Sequence, residues 1–220
     1  MSRSKWMPWV LAAGAILPSS SQAQSVSLPH SDWAMLHSVK VTVSSAGPSH
    51  GDPSDYRYAP PIPQPGIDWV VLDGGPASPR NPNDIDYLGP SDNYSSDLRS
   101  CLTELEFTDF QCFVAVPAGF VTSQATITLG PLDDGARVLV FNSAHPAGAV
   151  PQDGTIAIGD SKSIDLGALL KAGENNRIVV QHVDDCGGQA WLGSVDLEVK
   201  GDAGPGAQRP TWGRLKSMYR

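Results

Sequence analysis

Two pairs of adjacent carboxylates, Asp133-Asp134 and Asp184-Asp185, together with His182 just before the second pair, are the residues whose types fit proton chemistry. Two carboxyl groups a few ångströms apart act as acid and base in glycoside hydrolysis. Neighbours on an extended strand, however, point to opposite faces, so neither pair works alone. The chain has no Gly-x-Ser-x-Gly elbow, no His-Glu-x-x-His and no phosphate-cradling glycine loop. No catalytic set is expected, and the chain reads as a non-enzyme.

Binding chemistry has a better local set. Trp191 with Gln189, His182, Asp184 and Asp185 offers an aromatic face and planar hydrogen-bond partners on the segment between the last two strands, which is the chemistry a sugar site needs. A tryptophan at the head of the final strand more often fills a core. Asn83, Asp84, Asp86 and Asp92 supply the oxygens a hard cation wants, but not at the spacing of a helix-loop-helix calcium loop, and Asx residues make turns without any ion. No metal and no cofactor are expected. The three cysteines, Cys101, Cys112 and Cys186, allow three single pairings with one left over, and Cys101 with Cys112, closing the shortest loop, is preferred.

The elements that must position these groups are strands. Ala125, Ile127 and Leu129 alternate with Thr126 and Thr128; Val195, Leu197 and Val199 alternate with Ser194, Asp196 and Glu198; Val138 to Phe141 is apolar on both faces. Gly130-Pro131, Asp134-Gly135, Asp153-Gly154 and Gly187-Gly188 punctuate the runs. Earlier, Val39, Val41 and Val43 predict a first strand. Residues 46–66 are dominated by Pro and Gly with Tyr56 and Tyr58 interleaved, and form a surface loop or stiff spacer because proline cannot donate to a ladder. Ser96-Asp97 before Leu98, Cys101, Leu102 and Leu105 predicts a short capped helix, and Phe110, Cys112, Val114 and Val116 a strand.

The totals agree with one core. The chain has 220 residues, 22 Gly, 19 Pro and 17% charged residues, which suits a loop-rich all-β protein better than a helical bundle. Arg3 and Lys5 precede an apolar run from Trp6 to Leu17 and a Ser21-Gln22-Ala23 cleavage site, the pattern of a signal peptide over residues 1–23. That run is shorter than the roughly 20 residues a membrane span needs, so no integral span is expected after cleavage. Removing two positive charges takes the net charge from −8 to −10, an acidic balance that argues against nucleic acid as a partner. The expected location is secreted, periplasmic or at the cell surface.

At this point a resemblance emerges. The run Phe110 to Phe120, then Ala125-Thr-Ile-Thr-Leu129, Leu132-Asp-Asp-Gly-Ala-Arg-Val-Leu-Val-Phe-Asn142, Asp165-Leu-Gly-Ala-Leu-Leu-Lys-Ala-Gly-Glu-Asn175 and Arg177-Ile-Val-Val-Gln-His-Val183 resembles galactose-binding-like jelly-roll domains, such as those attached to β-galactosidases. It implies an all-β, antiparallel jelly-roll β-sandwich over residues 107–200, with a loop-rich N-terminal extension over 24–106 packing on it. It further implies that Asp133 and Asp134 satisfy turn amides, that Arg137 pairs with one of them, and that Leu166, Leu169 and Leu170 plug one end. Asn142-Ser143 stands where the family has Asn-Gly, which predicts a longer loop there. Members without a catalytic domain act as carbohydrate-binding or adhesive modules. Residues 201–220 form a linker and a basic tail with Trp212, Leu215, Met218 and Tyr219, a docking segment for some partner. Two functions follow: a secreted, non-catalytic module recognising a glycan or a cell-surface protein, or a structural subunit making protein contacts.

Overall fold

A computed structural model describes residues 25–45, 52–66, 68–71, 103–157, 161–185, 192 and 194–203. Among the described residues are eleven strands: β1 (Ser25–Leu28), β2 (Ala34–Thr42), β3 (Val70–Val71), β4 (Glu104–Val116), β5 (Phe120–Leu129), β6 (Gly135–Asn142), β7 (His145–Ala149), β8 (Thr155–Ile156), β9 (Lys162–Asp165), β10 (Glu174–Asp184) and β11 (Val195–Ala203). A 3-10 helix, Pro53–Tyr58, lies between β2 and β3, its Asp52 side chain accepting from Ser54 N as an N-cap. No helix among the described residues is long and apolar enough to cross a membrane.

The strands form two antiparallel sheets packed face to face. One has the order β1-β11-β5-β9, the other β3-β2-β4-β10-β6-β7 with β8 beside β6. From β4 onward the chain passes back and forth: β4, β6 and β10 lie in the larger sheet, β5, β9 and β11 in the smaller. This is the winding of a jelly-roll sandwich. The strands of the N-terminal segment belong to it, since β1 pairs with β11 and β2 with β4.

Side-chain alternation fixes which face of each strand is inside. Phe110, Cys112, Val114 and Val116 of β4 meet Ile178 and Val180 of β10, Val138 and Val140 of β6, and Ala125, Ile127 and Leu129 of β5 in one buried cluster. Leu166 is buried in this cluster, with Leu169 and Leu170 packed against it. A smaller cluster lies on the other side of the large sheet, where Leu105, Phe107 and Val183 meet Val43 and Tyr56. That second cluster corrects the helix expected to end at Leu105. Glu104 and Leu105 begin β4, paired with Thr42 and Val41, because residues 105 and 107 are needed on one strand face; Leu98, Cys101 and Leu102 lie outside the described residues.

The turn after β6 is also corrected. Asn142 pairs with His145 across a tight two-residue connection rather than a longer loop. The Asn142 carboxamide holds the turn, with Ser143 in the place of glycine: its Oδ1 accepts from Ala144 N at 3.0 Å and His145 N at 3.1 Å, and its Nδ2 donates to Leu169 O at 2.8 Å.

Cys112 is a free thiol, buried in the core cluster, where burial pushes its pKa up; Cys101, its expected partner, and Cys186 lie outside the described residues. A maleimide reagent is expected to label Cys112 only after denaturation, as peptide mapping would show; labelling of the native chain at Cys112 contradicts this placement. Gly201 sits at the β11 bulge, where a Cβ would meet the Val121 carbonyl and come within 2.6 Å of the Phe120 ring. Gly201→Ala is expected to cost about 1–3 kcal/mol in urea unfolding; an unchanged midpoint argues that the β5–β11 contact relaxes freely.

Candidate functional site

The structure places three of the five expected ligand residues inside the protein. His182 is 0% exposed, and its Nε2 donates to the Asp133 carbonyl at 2.6 Å. Burial lowers its pKa to about 4, against the opposing effects of that hydrogen bond and of Asp134, so the ring is neutral. Asp184 and Asp185 are also buried, and Asp185 N donates to Asp134 Oδ2 at 2.9 Å. Asp134 adopts a left-handed φ of 56° to make that contact. The carboxylates and His182 thus tie the β5–β6 turn to the end of β10 rather than standing on an open rim. Gln189 and Trp191 lie outside the described residues, as do Asn83, Asp84, Asp86 and Asp92. Among the described residues no three His, Cys, Asp or Glu side chains are grouped to hold a metal ion.

An open site lies elsewhere, on the outer face of the smaller sheet. Register puts Ser163 of β9, Thr128 of β5 and Asp196 of β11 in one row, and Asp165, Thr126 and Glu198 in the next. These are the polar partners of the inward Ile127, Leu129, Val195 and Val199, so the alternation read in the sequence is what floors the site. Thr128 and Ser163 share a hydrogen bond of 2.8 Å, Gln124 Nε2 donates to Glu198 Oε2 at 2.8 Å, and Lys200 pairs with Glu198. Gln124, Thr126, Thr128, Ser163, Asp196 and Glu198, together with His30, line a groove of about 420 Å3. The groove reaches His30 because β1 pairs with β11 only over Val199–Asp202; the chain then crosses to β4, where His30 bridges Val114. The His30 ring rests tilted on Trp33, 6.1 Å between centroids. Sequence reasoning missed this set because it sought tryptophan. The Thr/Ser/Asp/Glu alternation was the available signal.

The outer face of the larger sheet is different, because it is covered. Asp109 of β4, Gln181 of β10 and Arg137 of β6 stand directly opposite one another in register. The segment Asp52–Gly66 lies over them as a strap. Tyr56 places its ring 4.7 Å from the Arg137 guanidinium and donates its hydroxyl to Gln181 O at 3.3 Å. Arg177 donates through Nε to Gln111 Oε1 and through Nη2 to Pro63 O, both at 2.7 Å, with the rings of Trp69 and Phe141 each 5.2 Å away. Arg137 therefore pairs with Gln181 Oε1 and the Tyr56 ring, not with Asp133 or Asp134 as expected.

This row carries unmet polar groups. Asp109 is 4% and Gln181 0% exposed, yet Asp109 Oδ1, Gln181 Nε2 and Arg137 Nε have no hydrogen-bond partner. The neighbouring Gln181 side chain lowers the Asp109 pKa, while Asp109 Oδ1 and Gln181 Nε2 are left without a partner. Each such group costs about 1–3 kcal/mol. Burial raises the Asp109 carboxyl to about 6, against the lowering effects of Gln181, Arg177 and Arg137, and burial drops Arg177 to about 10.

The raised value sets a sign. Burial disfavours the ionised carboxylate in the fold, so Asp109 costs stability above about pH 6, and the cost is withdrawn as pH falls from there toward the unfolded value near 3.8. Asp109→Asn carries no charge at any pH. It is expected to stabilise the protein at pH 8 by on the order of 1–3 kcal/mol and by less at pH 5, measured by urea titration. Destabilisation of equal size at both pH values would show that the charge is favourable where it stands. No protein-family model matches this chain and no curated protein matches it, so the chemistry of both faces rests on their own residues.

Proposed function

We propose that this chain is an exported, non-catalytic recognition module that binds carbohydrate in the groove of the smaller sheet. The floor of the groove carries the reading: hydroxyl, amide and carboxylate groups from β9, β5 and β11 face one open channel of about 420 Å3. Sugar hydroxyls donate and accept at the same atom, and Thr126, Thr128 and Ser163 answer them in kind while Asp196, Glu198 and Gln124 supply planar acceptors and donors. The channel crosses strands rather than following one, which suits an extended chain of sugar units. Asp196 and Glu198 disfavour anionic glycans, as does the net charge of −8. Glu198 is committed to Gln124 and Lys200, a binding arrangement rather than that of a proton donor. The jelly-roll winding and the resemblance to galactose-binding-like domains support the same reading, and the basic-then-apolar residues 1–23 support export.

Neutral polysaccharides in an affinity gel, together with a glycan array, test the proposal on the full mature chain. Glu198→Ala and Thr128→Val are each expected to weaken binding about tenfold, the ~1.4 kcal/mol of one lost hydrogen bond, with the circular-dichroism spectrum unchanged. Full affinity in both variants would remove the groove from the binding surface. Capture of a protein and of no glycan would replace the proposal with the assembly reading.

A further inference from the structure

We infer that the strap Asp52–Gly66 covers a second ligand site, on the opposite face of the sandwich, which takes one neutral, hydroxyl-bearing molecule such as a monosaccharide unit. The observation that points to a ligand is the row Asp109–Gln181–Arg137. Two of its three side chains are more than nine-tenths buried, and each of the three presents a polar atom with no partner. The large majority of buried polar groups in folded proteins are paired, so three unmet atoms side by side in one cross-strand row are an unfinished set.

The chemistry of the missing partner follows from the atoms. Asp109 Oδ1 accepts, while Gln181 Nε2 and Arg137 Nε donate. One hydroxyl donates to Asp109 Oδ1, and a neighbouring hydroxyl accepts from Gln181 Nε2 and Arg137 Nε; adjacent hydroxyls on a sugar ring have this pattern. An anion would face the Asp109 carboxylate, and a cation would face Arg137 and Arg177, so a neutral molecule is favoured. The rings of Trp69 and Phe141, which lie outside the strap and already face the Arg177 guanidinium, supply the flat apolar surface that a sugar's carbon face needs.

The strap itself resembles such a ligand and fits it incompletely. It brings one hydroxyl, from Tyr56 to the Gln181 carbonyl, and one carbonyl, from Pro63 to Arg177, and leaves the three side-chain atoms unmet. None of its residues pairs with a strand of either sheet, as expected of a segment holding Pro53, Pro60, Pro61, Pro63 and Pro65. Lifting it therefore breaks side-chain contacts and no ladder. A ligand that meets all three atoms displaces it.

The test uses the full chain with D-galactose, D-glucose and myo-inositol as probes, read by saturation-transfer NMR and by hydrogen exchange of residues 52–66. Tyr56→Phe removes only the strap's hydroxyl bond, and Tyr56→Leu removes the stacking on Arg137 as well. Both are expected to speed exchange in the strap and to tighten binding of at least one probe several-fold. Asp109→Ala is expected to loosen that binding tenfold or more, and perturbed amide shifts are expected on β4, β6 and β10 rather than on β5 and β11. Absence of saturation transfer from every probe to Tyr56→Phe overturns the inference. So does undiminished binding by Asp109→Ala, or shifts confined to β5 and β11; that last result would instead locate the ligand in the groove of the smaller sheet.

Discussion

The structure depends on β10 being buried on both of its faces. It pairs with β4 along its whole length, from Glu174 opposite Val116 to Asp184 opposite Glu106, and with β6 on its other edge. Its inward residues, Ile178 and Val180, are the centre of the sandwich core. Its outward residues include Arg177 and Gln181, which are buried as well. A strand that carries polar side chains among its apolar ones, yet is covered on both sides, forces those polar side chains to find partners in a place where water is scarce. Gln111, Arg137, Tyr56 and the Pro63 carbonyl are where they are because of that demand.

The two outer faces of the sandwich answer the same alternation differently. On the smaller sheet the polar residues are short, mostly Thr, Ser, Asp and Glu, and remain open to solvent, so that the strands carry a wide polar floor at no desolvation cost. On the larger sheet they are long, and the strap covers them. Long side chains allow this, since the Arg177 and Arg137 stems cover apolar surface while their planar heads stack on Trp69, Phe141 and Tyr56. Proline serves the cover well, because a proline-rich segment has fewer amide hydrogens that would require partners when laid on a sheet.

Much of the sandwich was legible in the sequence. The alternations at Ala125 to Leu129, Phe110 to Val116 and Val195 to Val199 locate β5, β4 and β11 and their inward faces, and Asp165 to Leu170 with Gly173 locates the plug and turn before β10. The errors share a cause. Leu105 satisfied a helical spacing with Leu98, Cys101 and Leu102, but tertiary contact with Tyr56, Phe107 and Val183 requires it on a strand. His182, Asp184 and Asp185 looked like rim residues because they are polar and close a strand, whereas Asp133 and Asp134 reach across and internalise them. The turn after β6 stays tight with Ser143 in the place of glycine because the Asn142 carboxamide binds Ala144 N and His145 N, a solution that residue type alone does not announce.

By itself the sequence determined that the molecule is a β-sandwich and which side of most strands faces inward, because side-chain alternation has a period of two and is written in neighbouring residues. Which strands lie side by side was decided only by the tertiary structure. The row Asp109, Gln181, Arg137 and the floor Ser163, Thr128, Asp196 each join three strands remote in the chain, and register between such strands is set by the packing of the whole core. The covering of one face by Tyr56 and Pro63 is of the same kind: proline marks a segment that stays out of the ladder, but only three-dimensional packing selects the surface on which it comes to rest.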